Sequence, residues 1–217
     1  MSQATLTINS RNYGAWSLRG WLLCKFAGLD FAVEEVDNND PDVRDELLLL
    51  SPSFLVPRLR HDDLVVWDTL AIGEYLYESI DSSLLPSEPR AKASCRSVSG
   101  EVHSGFANLR SGLPMNLQAH HPGFPVWAGV QADIDRIEKV WNECLAASGG
   151  PYLFGETRTT ADAMYAPDCT RLQTYGVKVG AVASDYVETI LAMPEMGEWL
   201  EAALLEPHDV EELEMEF

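Results

Sequence analysis

The chain has 217 residues, 46% of them hydrophobic, and carries 34 acidic against 15 basic side chains, a formal net charge of −19. Nucleic-acid binding rests on cations that neutralise phosphates, so DNA and RNA are excluded as expected partners. No apolar run approaches a membrane span, and the N-terminus MSQATLTINS lacks a basic segment followed by an apolar core. The expectation is no membrane association, no signal peptide and a cytoplasmic location. The cysteines, Cys24, Cys95, Cys144 and Cys169, form no C-x-x-C pair, so free thiols are expected. His120 and His121 are adjacent and point apart on any regular element, so no metal is expected there.

In chain order, Thr5 to Asn9 reads as a strand, because Leu6 and Ile8 alternate with polar neighbours. Residues 17–28 read as a helix, with Leu18, Trp21, Leu22 and Phe26 on one stripe and Gly28 as the stop. Phe31 to Val36 is a second strand, giving a parallel pair joined by a helix. Asp42 to Leu50 reads as a short helix or turn. Residues 56–60 and 64–67 form a hairpin about the polar turn His61-Asp62-Asp63. Residues 68–80 form a helix with Ile72, Leu76 and Ile80 on the core side.

Ser82 to Pro89 contains two prolines and reads as a linker. Beyond it strand signals vanish, and helices fit residues 90–118, 126–147, 160–175, 181–192 and 195–205. The acidic end, EPHDVEELEMEF, reads as loosely held. The expected organisation is an α/β domain at 1–82, a linker at 83–90 and an all-α domain at 91–217. A small-ligand pocket is expected where the two domains meet.

Two features carry chemistry. Val56-Pro57 places a proline where it cannot donate to a strand ladder, so it belongs at an edge or strand start, as an ordinary trans bond or as a cis bond. Asp68-Thr69 follows a strand and opens a helix. That position is either a plain cap or an anion site, because helix N-termini offer unpaired N–H groups and partial positive charge.

Taken together, S-P-S-F-L-V-P-R-L and L-V-V-W-D-T-L-A-I-G-E-Y-L strongly resemble the glutathione-binding half of the cytosolic glutathione transferase family. The resemblance implies a thioredoxin-like first domain and a helical-bundle second domain. It implies that Val56, before a cis Pro57, bonds the cysteinyl backbone of glutathione, and that Asp68 and Thr69 bind the γ-glutamyl end. A second resemblance lies at Gly155 to Asp162, similar to the family's helix-capping motif, with Thr159 as N-cap and Asp162 at N3.

Residues 12–22, NYGAWSLRGWL, resemble bacterial members with an Asn-Tyr-Ser-Ser-Trp-Ser-Leu-Arg signature, related to the zeta class that includes maleylacetoacetate isomerases. In that pattern the sulfur-facing serines fall where this chain has Gly14 and Ala15. A thiol needs a donor to stabilise its thiolate. Three substitutes stand: the hydroxyl of Ser17, slightly favoured, the phenol of Tyr13, or a backbone N–H at Ala15 or Trp16. Arg19 could add a cation. The segment from Glu101 to Asn116 also resembles those proteins, and there His103, Phe106 and Arg110 are expected to border the electrophile pocket, the seven-residue spacing putting His103 and Arg110 on one helix face.

The implied activity is conjugation of glutathione to a small apolar electrophile, or glutathione-dependent isomerisation, with glutathione as cosubstrate, no other cofactor and a homodimeric assembly. The alternative is a glutathione-binding or ligand-carrying protein with little catalysis, which Gly14 and Ala15 favour.

Overall fold

The protein is described here by a computed structural model covering residues 4–36 and 56–207. The expected element at Asp42 to Leu50 and the tail from residue 208 onward lie outside the described residues. The sheet contains β1 (Ala4–Ile8), β2 (Phe31–Glu35), β3 (Arg58–His61) and β4 (Leu64–Trp67), in the order β2-β1-β3-β4. β1 runs parallel to β2 and antiparallel to β3, and β3 pairs antiparallel with β4. Leu6 lies opposite Val33 on one side and Leu59 on the other, which seats the apolar residues of β1 and β3 in the core. The first strand thus begins one residue earlier than expected, and Val56 and Pro57 precede β3 instead of lying within it.

Two helices complete this layer: α1 (Ala15–Phe26) and α2 (Thr69–Ser79). α1 does not bury a single stripe as its pattern suggested. Ten of its twelve residues are buried, Ser17 and Arg19 among them, because it packs on β1, on α2 and on the second domain. In α2, Ile72 and Leu76 reach the core, but Ile80 follows the helix as its C-cap and is 38% exposed.

A 3-10 turn at Ser82–Leu84 lies inside the expected linker, and Leu84 and Leu85 are buried, so this connection is anchored by its apolar residues. The helical layer comprises α3 (Pro89–Ser104), α4 (Ala107–Gly112), α5 (Ala128–Ser148), α6 (Thr160–Thr174), α7 (Ala181–Leu191) and α8 (Pro194–Ala203). The continuous helix expected over 90–118 is therefore two helices. Gly105, a weak helix former, is followed by Phe106 in the left-handed region at φ 57°, and Pro114 lies just beyond the second piece.

α6 is the centre of the molecule. Fourteen of its fifteen residues are buried, and it packs against α1, α3 and α7. Its start carries the expected capping box of Thr159 and Asp162. The buried Asp162 carboxylate accepts from Thr159 N–H (2.7 Å), Thr159 Oγ1 (3.0 Å), Leu153 N–H (3.1 Å) and Tyr186 Oη (3.0 Å).

Candidate functional site

Between β4 and α2, Asp68 stands at φ 73°, a backbone region that costs a residue with a side chain about 1–3 kcal/mol. Its Oδ1 accepts from Leu70 N–H (2.8 Å) and Ala71 N–H (3.2 Å), so Asp68 caps the helix. Thr69 is 1% exposed, and its hydroxyl has no hydrogen-bond partner among the described residues. The Thr69 N–H also has no acceptor among them. A buried hydroxyl normally finds a partner, and going without one costs about 1–3 kcal/mol.

The Val56–Pro57 peptide is cis. Neither the N–H nor the C=O of Val56 has a backbone partner among the described residues. The Pro57 ring lies against α1 at Gly20, where an added Cβ would come within 2.6 and 2.7 Å of it. Gly20 is thus the gap in α1 that lets the Val56–Pro57 peptide sit close to the helix.

His103, at the end of α3, joins the two layers. Its Nε2 donates to Asp68 Oδ2 at 2.6 Å, and its ring lies edge-on to Trp16 with centroids 5.2 Å apart. Burial alone would raise the Asp68 carboxyl. The bond and charge of His103 and the two N–H groups of α2 outweigh it and hold the carboxyl below its ordinary value. Arg110 donates back to the carbonyls of Gly105 and Val102, closing the end of α3, and its guanidinium stands 5.8 Å from the Trp16 ring. His103 and Arg110 therefore converge on Trp16, although they do not share a helix. Phe106, in the break between their helices, is buried.

Arg19, fully buried, also stands against Trp16, 4.4 Å from the ring. Its Nε donates to Met164 O (2.6 Å) and its Nη2 to Asp168 Oδ2 (3.3 Å), while Nη1 has no partner among the described residues. Arg171 Nη1 donates to Asp168 Oδ1 at 2.9 Å. Burial, opposed by Asp168 and reinforced by the charges of Arg171 and Arg110, brings Arg19 down to about 9. The result is a cationic cluster behind the N-terminus of α1.

At that N-terminus the Ser17 hydroxyl, slightly favoured from sequence, is turned inward. Ser17 Oγ donates to Asn9 Oδ1 (2.6 Å) and accepts from Asn9 N–H (3.1 Å), so its only hydroxyl proton is engaged inside the fold. Tyr13 is buried, with its N–H donating to Ser10 Oγ (2.9 Å). A Cβ at Gly14 would fall 2.1 Å from Asn9 Oδ1 and 2.2 Å from Ser10 O. Position 14 is therefore glycine because Asn9 occupies the space. Ala15 N–H donates to Tyr13 O (3.0 Å), whereas the N–H groups of Trp16 and Ser17 have no acceptor among the described residues and open the helix as unpaired donors.

No cysteine of the chain suits a nucleophilic role. Burial pushes Cys95 up to about 12 and Cys144 up to about 11, and drives Cys24 and Cys169 higher still. The polar groups at the site are instead the Asp68 carboxylate, the Thr69 hydroxyl and the Val56 backbone, groups of the kind that pair with an ammonium, a carboxylate and an amide. The Trp16 ring, Asp168 and Arg171 were not recognised from the sequence as parts of this arrangement, where only the Trp16 backbone N–H was named. A single chain gives no signal that residues 150 positions apart share one charge cluster.

The family model described as glutathione S-transferase, N-terminal domain matches residues 13–79, and that described as glutathione S-transferase, C-terminal domain matches residues 124–204. The chain is 31% identical over 160 residues to glutathione S-transferase 1 of Dianthus caryophyllus, covering 70% of each chain. It is 27% identical over 173 residues to maleylacetoacetate isomerase of Rattus norvegicus, covering 77% of each. In fold it is similar to a glutathione transferase homologue from Burkholderia GL BGR1 crystallised with bound glutathione, with a TM-score of 0.68, 21% identity, and 93% and 97% of the two chains covered.

Proposed function

The chain belongs to the glutathione S-transferase family, and from that premise we propose that it binds glutathione and delivers the thiolate to a small apolar electrophile, by conjugation or by reversible addition that isomerises the acceptor. The observation that carries the proposal is the buried hydroxyl of Thr69, unpartnered among the described residues, beside the Asp68 carboxylate at the start of α2. The Thr69 hydroxyl and N–H take the γ-glutamyl carboxylate, and Asp68 takes the ammonium. The backbone groups of Val56 beside Pro57, without a backbone partner among the described residues, pair with the cysteinyl amide.

In the proposed pose the sulfur points to the N-terminus of α1. The unpaired N–H groups of Trp16 and Ser17, reinforced by the helix dipole and the charges of Arg19 and Arg110, stabilise the thiolate. The thiol proton leaves to solvent. The sulfur lone pair attacks the electrophilic carbon, and the leaving group departs with its bonding electrons. In isomerisation the same C–S bond forms and then breaks after rotation about the saturated carbons. Of the substitutes for the missing serines, the backbone donors are favoured, because the Ser17 proton is committed to Asn9. Ser17 then acts on the thiol by holding the β1–α1 loop. Trp16, His103, Phe106 and Arg110 form the wall that meets the electrophile.

A second reading, a glutathione-binding carrier with little turnover, is favoured by Gly14 and Ala15, which offer no hydroxyl. Calorimetric titration with glutathione, run beside an aryl-halide conjugation assay, separates the two. Binding with turnover supports the transferase, binding without it supports the carrier, and absence of binding overturns both. The proposal includes a homodimer, supported by family membership and by the exposed Leu64, Val65 and Trp67 on edge strand β4, and checked by sedimentation equilibrium. It also includes a cytoplasmic setting; among the described residues no helix is long and apolar enough to cross a membrane.

A further inference from the structure

The loop between β1 and α1 is held by the far end of the chain. Glu206 follows α8, in the acidic stretch read from sequence as loosely held. Its side chain is instead firmly bonded. The carboxylate accepts from Ser10 Oγ (2.6 Å), Arg11 N–H (2.5 Å) and Asn12 N–H (3.0 Å). Ser10 Oγ in turn accepts from Tyr13 N–H (2.9 Å), and Ser10 O accepts from Gly14 N–H (3.0 Å). Two bonded steps therefore connect Glu206 to Gly14, the N-cap of α1.

A third segment closes the ring. Asn12 Oδ1 accepts from the N–H groups of Leu117 (2.7 Å) and Gln118 (3.0 Å). The Gln118 side chain donates to the carbonyls of Ala203 (2.8 Å) and Glu206 (2.9 Å). Trp199 Nε1 donates to Arg11 O (2.9 Å). Consecutive N–H groups directed at one carboxylate form a charge-assisted seat, stronger than neutral bonds of the same geometry. The apolar anchoring of α8 is already supplied by Met196, Trp199 and Ala203. What Glu206 adds is a grip on the loop that sets the direction of the first N–H groups of α1.

We propose that Glu206 is a positioning residue for thiol activation, fixing the N–H groups of Trp16 and Ser17 against the glutathione sulfur while leaving the binding of glutathione to Val56, Asp68 and Thr69. The proposal rests on the glutathione reading above. Mispositioning of a reacting group by about 1 Å can lower a rate by roughly a hundredfold.

The test compares the full chain with Glu206→Gln, which keeps the size of the side chain but directs an NH2 group at one of the three donors. Calorimetry on the unaltered protein comes first. If glutathione does not bind, the glutathione reading fails, independently of Glu206. If it binds, Glu206→Gln is expected to lower kcat roughly tenfold to a hundredfold, to raise the pKa of the bound thiol followed by thiolate ultraviolet absorbance, and to leave the KM for glutathione within about twofold. Glu206→Asp, which keeps the charge, is expected to recover part of kcat. Unchanged kcat and thiol pKa, or parallel losses of affinity and rate tracking a lower Tm, would overturn the proposal. Should Glu206→Gln not fold, Ser10→Ala replaces it, since that variant cuts the link to Tyr13 while keeping both backbone bonds to Glu206. The same kcat and thiol pKa changes are expected, and their absence counts equally against the proposal.

Discussion

Asp68 Oδ2 and His103 Nε2 stand 2.6 Å apart, joining the start of α2 in the first domain to the end of α3 in the second. The same carboxylate caps α2 and is the proposed partner of the γ-glutamyl ammonium, so His103 adjusts a ligand site without belonging to its domain. His103→Ala is expected to weaken glutathione binding by about tenfold, the equivalent of one lost charge-assisted bond, and Asp68→Ala by more. Isothermal titration measures both.

The pH dependence of that pair has a defined sign. The folded Asp68 carboxyl lies below its ordinary value, so its contribution to stability is present above the unfolded value of about 3.9 and is lost as pH falls through the lower folded one. The Tm gap between the unaltered protein and Asp68→Asn should therefore shrink below about pH 4. A series of thermal melts over acidic pH measures it.

Gly14→Ser would restore the serine that the resembled signature implies at this position, yet it is not expected to create a thiol-activating hydroxyl. The new Cβ meets Asn9 Oδ1 and Ser10 O at little more than 2 Å, and relieving such overlap displaces the Asn9–Ser17 lock. Expected are a loss of about 1–3 kcal/mol in stability and no rise in kcat, read by denaturant unfolding and the conjugation assay.

Gly20→Ala sets two effects against each other. Replacing a mid-helix glycine by alanine ordinarily stabilises by about 1 kcal/mol. Here the Cβ would press into the Pro57 ring, and overpacking costs about 1–3 kcal/mol. The second effect wins, because the ring is fixed beside the sheet. The variant should melt lower and bind glutathione more weakly, through displacement of Val56.

Asp162→Ala removes an acceptor from four buried donor contacts and should cost more than about 3 kcal/mol, whereas Thr159→Ala should cost about 1 kcal/mol. A folded Thr159→Ala protein should keep its glutathione affinity, since the capping box lies outside the ligand site.

The sequence was most legible where one short segment contains both the fold signal and the residues proposed to hold the ligand. Val56-Pro57, the hairpin and Asp68-Thr69 fall within fourteen residues, and each has a local physical cause: a strand-start proline, a polar turn, a helix cap. The reading failed where long-range packing decided. Ser17 faces Asn9 because β1 and α1 meet at that point, which no helical period reveals. His103 and Arg110 converge through a break at Gly105-Phe106, although periodicity had joined them in one helix. Glu206 lies in a stretch whose acidity suggested solvation, and its partners are about two hundred positions away.

The burial of Arg19 has a consequence for any hybrid built from this chain. The guanidinium belongs to α1, but Met164 O and Asp168, which satisfy it, belong to α6. A chimaera joined at the connection around residue 85 would set α1 of one parent against α6 of another. Unless the donor of α6 also brings a carboxylate at the Asp168 position, a cation is sealed in the seam with too little counter-charge, and the hybrid is penalised however well each half folds. A hybrid matched at positions 19 and 168 avoids that penalty, so this one pair ties the two halves of the molecule together.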